Sequence, residues 1–162
     1  MKKYKQPIIL VNLLLLLVYF NYSVYSKEQL LKTGTLILLE LAPADPRSLM
    51  QGDYMNLRYT LANRDGQDDL PKRGYVVVRL DDEGVARRER FQEGEFPLQP
   101  GEYLIKYTSA NQWNIAIGAE SYFFQEGQAV RYASARYGGL KVDGEGNSLL
   151  IGLFSEDKEL IE

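Results

Sequence analysis

With 162 residues, 45% of them hydrophobic and 25% charged, the chain has the balance of one globular domain plus an anchor, not that of a disordered segment. It contains neither histidine nor cysteine, which excludes Ser-His-Asp catalysis, histidine acid/base chemistry, thiol nucleophiles, zinc-thiolate sites and disulfides. Three of the 19 basic residues precede Pro7, leaving 16 against 22 acidic residues, a net of −6; a domain this acidic is a poor partner for nucleic acid or anionic lipid.

Residues 1–6 (MKKYKQ) form a basic tip with three lysines and no acid. Residues 7–25 carry no charge at all. As a helix they span ~28 Å at ~1.5 Å per residue, close to the ~30 Å hydrocarbon core of a bilayer. Tyr19, Tyr22 and Tyr25 lie at the far end, where an interfacial aromatic belt belongs. The lysines belong on the cytoplasmic side, so the expectation is a single-pass protein of the cytoplasmic (inner) membrane with its C-terminal domain outside. A cleaved signal peptide is the competing reading, with Val24 and Ser26 as poor small residues before the cut. The apolar run is longer than an ordinary signal core and ends in aromatics, which favours the anchor.

Residues 27–162 are read as one extracytoplasmic β-rich domain. Twelve tyrosines against one tryptophan favour strands. Residues 27–32 form a short polar link. GTLILLELAP is apolar on both faces and reads as a central strand. In DPRSLMQGD, Asp45 caps a short helical turn, Pro46 fits its start and Gly52 its exit. Met55, Leu57, Tyr59 and Leu61 then alternate with polar residues as a half-buried strand. A polar loop follows (ANRDGQDDLPKRG), then a hairpin of YVVVRLD and VARRERF around the turn DEG. EYLIKYTS and NIAIGAESYFF supply one strand each. Residues 128–137 (QAVRYASARY) read as the domain's one helix, stopped by Gly138-Gly139. A second hairpin turns at residues 143–147, and the acidic tail SEDKELIE reads as loose. The fold expected is mainly β: a small barrel or sandwich of about seven or eight strands, one helix near the C-terminus, and an N-terminal transmembrane helix.

Two blocks, PADPRSLMQGDYMNLRY and YFFQEGQAVRYASARYGGLKVDGEGNSLLIGL, resemble the family named for its own signature, GDYXXLXY. Gly52, Asp53, Tyr54, Leu57 and Tyr59 fit the name, and the likeness covers most of the domain. It implies a membrane-anchored bacterial protein of unassigned function, often accompanied by a multi-pass membrane protein. Where the family usually shows a second acid after the terminal glycine, this chain has Gly139. A fainter likeness links LMQGD to the Gly-Asp element of type I signal peptidases, but Ala44 stands where the serine nucleophile would be, and a methyl group cannot attack a carbonyl.

Capping and turn geometry account for Asp45, Pro46 and Gly52, and Leu57 and Tyr59 read as core. Tyr54 falls on the opposite face beside Asn56 and Arg58, an aromatic on a polar face. It serves either a second packing layer or an exposed recognition surface. Glu126 and Arg136 suit the two ends of the expected helix. Asp45, Arg47, Asp53, Tyr54, Arg58, Glu126 and Arg136 together make the candidate interaction patch, since arginine and tyrosine are enriched at interfaces. With no Gly-rich phosphate loop and no calcium-loop spacing, no catalytic residue, metal or cofactor is expected. The function expected is protein contact, with a multi-pass membrane protein as partner. The alternative is an envelope hydrolase or glycan-binding module using carboxylates such as Asp53 and Glu126.

Overall fold

The computed structural model of the chain describes residues 5–42, 54–64, 70–109, 114–125 and 127–161. Helix α1 (Lys5–Thr33) is the longest element, and its side chains are exposed all round from Ile8 to Tyr22. It is long and apolar enough to cross a membrane. The polar link continues the same helix, because KEQLLK contains nothing that breaks one. Gly34 ends it: its N–H donates to the Leu30 carbonyl at 2.9 Å, and a Cβ there would collide with that oxygen. Leu30 is buried, and the Lys141 ammonium donates to the Gly34 carbonyl at 2.9 Å. Helix and domain therefore meet directly.

Nine strands follow among the described residues: β1 (Thr35–Glu40), β2 (Tyr54–Asn56), β3 (Arg73–Leu80), β4 (Ala86–Gln92), β5 (Glu102–Ser109), β6 (Ile115–Ala116), β7 (Ser121–Phe123), β8 (Tyr137–Val142) and β9 (Ser148–Phe154). A 3₁₀ turn (Thr60–Ala62) and a one-turn helix α2 (Ala129–Tyr132) complete the set. The strands form sheets ordered β1-β8-β9, β4-β3-β5-β6 and β2-β7, all antiparallel within themselves. The two larger sheets meet at a parallel bridge from Leu38 to Val85, and again where the Lys106 N–H donates to the Gly146 carbonyl at 2.9 Å. The result is a half-barrel around one core. Ile37, Leu39, Leu140 and Leu153 come from the first sheet, Val76, Val78 and Ile105 from the second, and Met55, Leu57 and Tyr59 fill between them. Each fully buried aliphatic side chain contributes roughly 1.5–3 kcal/mol.

Both hairpins form where their turns predict. In each an aspartate carboxylate accepts two backbone N–H groups: Asp81 from Glu83 and Val85, Asp143 from Glu145 and Asn147. Gly84 (φ 78°) and Gly146 (φ 82°) supply the left-handed residue each turn needs.

Four expectations are corrected. β1 is an edge of its sheet, not its centre; its outward Leu38 is covered by Val85, Phe154 and Tyr137, which explains apolar residues on both faces. NIAIGAESYFF makes two strands, because Gly118 at φ 79° breaks the run. The helix expected over residues 128–137 is only the single turn of α2, and the long helix of the chain is N-terminal. Tyr137 already opens β8, and Gly138 and Gly139 lie within that strand. They are glycines because aromatic rings rest on them: a Cβ on Gly138 would come 2.9 Å from the Tyr59 ring, and one on Gly139 would overlap Phe154. The tail, finally, is anchored through Ile161. The Ile161 N–H donates to the Leu153 carbonyl at 2.9 Å, Lys158 bridges to Glu83 at 2.9 Å, and Leu160 packs on Gly152.

Candidate functional site

At the C-terminal end of β1 the chain is held from both sides. The Leu41 N–H donates to the Arg136 carbonyl at 2.9 Å, and the Ala42 N–H to the Arg58 carbonyl at 2.7 Å. Two arginines 78 positions apart in sequence are thus fixed on backbones flanking one strand. Neighbouring strands are ~4.8 Å apart, so these two backbones lie within ~10 Å of each other. Beyond β2 the burial still alternates: Leu57 and Tyr59 turn into the core and Arg58 is exposed, as Arg136 is.

Both arginines line a cavity of about 270 Å³ whose apolar walls include Leu41, Met55, Leu57 and Tyr132. The Tyr132 wall is set by an aromatic cluster. Its ring meets Tyr122 edge-on at 5.1 Å and Phe124 at 5.5 Å. Burial, with the neighbouring Tyr132 hydroxyl, pushes the Tyr122 phenol up to about 12, so Tyr122 stays a neutral hydrogen-bonding group. On the core side the Tyr59 hydroxyl donates to the Ala119 carbonyl at 2.6 Å. Burial and the Glu120 carboxylate push that phenol well above its ordinary value.

Neither Arg58 nor Arg136 has an ion-pair partner among the described residues. The other side of the domain behaves differently. There Arg90 grips both oxygens of the buried Glu102 at 2.7 and 2.9 Å, Arg79 approaches the same carboxylate at 3.6 Å, and the Gln99 N–H adds a bond at 2.9 Å. These donors hold the Glu102 carboxyl down to about 2, the Arg90 hydrogen bonds first among them.

Tyr54 lies on the outer face of the β2-β7 ribbon and is exposed. Its cross-strand partner Phe123 stacks against it, ring centroids 5.8 Å apart. Tyr54 is exposed, and no helix among the described residues packs on it. Phe123 was missed at the sequence level. The adjacent pair Phe123-Phe124 was the available signal, because on a ribbon one of two consecutive rings must face outward. Tyr132 was missed too, being read only as part of a helix.

Of the seven residues of the expected patch, the structure brings Arg58 and Arg136 to one cavity and places Tyr54 on the ribbon that borders it. Arg136 lies beyond α2, outside any helix, with its N–H bonded to the Phe154 carbonyl. Asp45, Arg47, Asp53 and Glu126 lie outside the described residues, as does the turn expected over residues 45–52. The segment likened to signal peptidases, residues 49–53, lies outside them as well. A protein-family model described as GDYXXLXY protein matches residues 16–153, from within α1 to the penultimate residue of β9. Neither the curated proteins nor the solved structures give a match.

Proposed function

The chain belongs to the GDYXXLXY family, and on that premise we propose that it is a single-pass protein of the cytoplasmic membrane whose outer domain works by binding another protein. The observation that carries this reading is the pair Arg58 and Arg136, without an ion-pair partner among the described residues, lining a cavity with apolar walls beside the exposed Tyr54–Phe123 pair. Two guanidiniums lining one cavity give a local positive charge in a domain of net charge −6, which a partner's carboxylates would complement. Arginine and tyrosine around a cavity with apolar walls are also the composition of interface hot spots. The resemblance to a family that travels with multi-pass membrane proteins names the partner class.

The test is in-cell photo-crosslinking of the full chain. A photoreactive residue at position 54 or 123 is expected to yield an adduct with a multi-pass membrane protein, whereas one at Arg87, exposed on β4, is not. Equal adducts from all three positions, or none from 54 and 123, overturn the reading.

A further inference from the structure

The foot of the domain carries a second site, at the level where α1 leaves its apolar stretch. Ser23 is half-buried although its neighbours along residues 7–25 are exposed. What covers it is the tip of the β8–β9 hairpin. Ser23, Ser26, Lys27 and Leu30 line one crevice of about 280 Å³ with Asp143, Asn147 and Ser148. The four helix residues are spaced i, i+3, i+4 and i+7, a single face. At ~1.5 Å rise per residue, Ser23 sits ~3 Å below Tyr25, the last residue of the apolar run, and Lys27 ~3 Å above it. With α1 in a bilayer, the crevice lies at headgroup depth.

Its chemistry is that of a zwitterion's complement. Lys27 has no ion pair among the described residues, and the hydroxyls of Ser23 and Ser26 have no hydrogen-bond partner among them either. These three are donors free for a phosphate. Across the crevice Asp143 already accepts three hydrogen bonds, from the Glu145 and Asn147 N–H groups and the Asn147 side-chain amide. A carboxylate offers about four acceptor positions, so one remains. Lys27 and Asp143 face the same space without bridging each other.

We propose that this crevice binds the headgroup of one phospholipid bearing a primary amine. Lys27 and the two serines take the phosphate, and Asp143 takes the ammonium. The proposal rests on the reading of α1 as a membrane anchor. One lipid clamped between helix and hairpin sets the domain's tilt on the bilayer and so the direction in which the Arg58–Arg136 cavity faces.

The test uses the full chain, extracted in mild detergent and weighed by native mass spectrometry with phosphatidylethanolamine or phosphatidylglycerol supplied. One retained phosphatidylethanolamine per chain is expected. Lys27→Gln should retain it about tenfold more weakly, as befits the loss of a charge-assisted hydrogen bond. Lys32→Gln, exposed on the same helix and paired with Glu28, should behave as the unaltered chain does. Asp143→Asn keeps an oxygen for the turn but loses the charge, and should reverse the preference towards phosphatidylglycerol. Equal retention of the two lipids by the unaltered chain, or equal losses in Lys27→Gln and Lys32→Gln, overturns the proposal. So does full displacement of the lipid by soluble glycerophosphoethanolamine, which would make the ligand a free solute. Alkaline extraction of membranes separates the two readings. A chain released by it refutes the anchor and this site together, and a chain retained without lipid preference refutes the site alone.

Discussion

Two arginine-bearing regions of the domain have opposite character. Around Glu102 every charge is answered: Arg90 is bidentate, Arg79 is close by, and the carboxylate is almost fully enclosed. Around the cavity, Arg58 and Arg136 stand on a fixed backbone with no acid among the described residues to meet them. The same side chain is locked into an ion-pair network in one place and lines an open cavity in the other. The difference is whether the described residues supply the counter-charge. A closed network resists change because removing one member leaves a buried charge alone. An open pair costs the fold little to lose.

That contrast can be broken or sharpened by substitution. The largest effect belongs to the floor beneath the open pair. Leu57→Ala should cost roughly 2–5 kcal/mol in denaturant unfolding, because the side chain is 2% exposed and its removal leaves a cavity in the core. A loss below about 1 kcal/mol would mean that the site can collapse, and that its apolar wall is not rigid.

The closed network comes next, and its signature is in pH. The Glu102 carboxyl titrates at about 2 in the fold and near 4.5 in the unfolded chain. Protons therefore bind the unfolded state first. The stabilisation is complete above about 4.5 and is lost as pH falls from there towards about 2. Glu102→Gln should lower the melting temperature at pH 7, and the gap from the unaltered domain should narrow over that acid range. A gap that is the same at every pH would show that the residue acts by shape rather than by charge.

The smallest effect on folding is expected at the open pair. Arg58→Ala and Arg136→Ala should each change stability by no more than about 0.5 kcal/mol, as for other exposed positions. Together they should nonetheless abolish the crosslinked adduct from position 54. Marked destabilisation by either would place these arginines in the same structural role as Arg90.

Much of the fold was legible in the residues because local chemistry decides it. The long N-terminal helix needs only an unbroken apolar run. The hairpins need only Asp and Gly at their turns, and the carboxylates of Asp81 and Asp143 do what such residues do anywhere. The alternation from Met55 to Tyr59 places Tyr54 and Arg58 outside, although the expected strand pairs only over Tyr54–Asn56 and its end, Thr60–Ala62, is a 3₁₀ turn instead. Residues 133–139 were misread for the complementary reason. Alanine and arginine favour a helix and paired glycines suggest its end, but here partners distant in sequence outweigh local preference. β1 and β9 draw Tyr137 onward into a strand, and the rings of Tyr59 and Phe154 require glycine beneath them.

By itself, then, the sequence determined periodicity, turn positions and charge balance, each a matter of a few neighbouring residues. Only the tertiary structure decided that Arg58 and Arg136 share a cavity, that Phe123 backs Tyr54, and that the hairpin tip meets α1 at Ser23. Those are contacts between segments tens of residues apart, set by strand pairing and by what each face must bury. No local spacing encodes them.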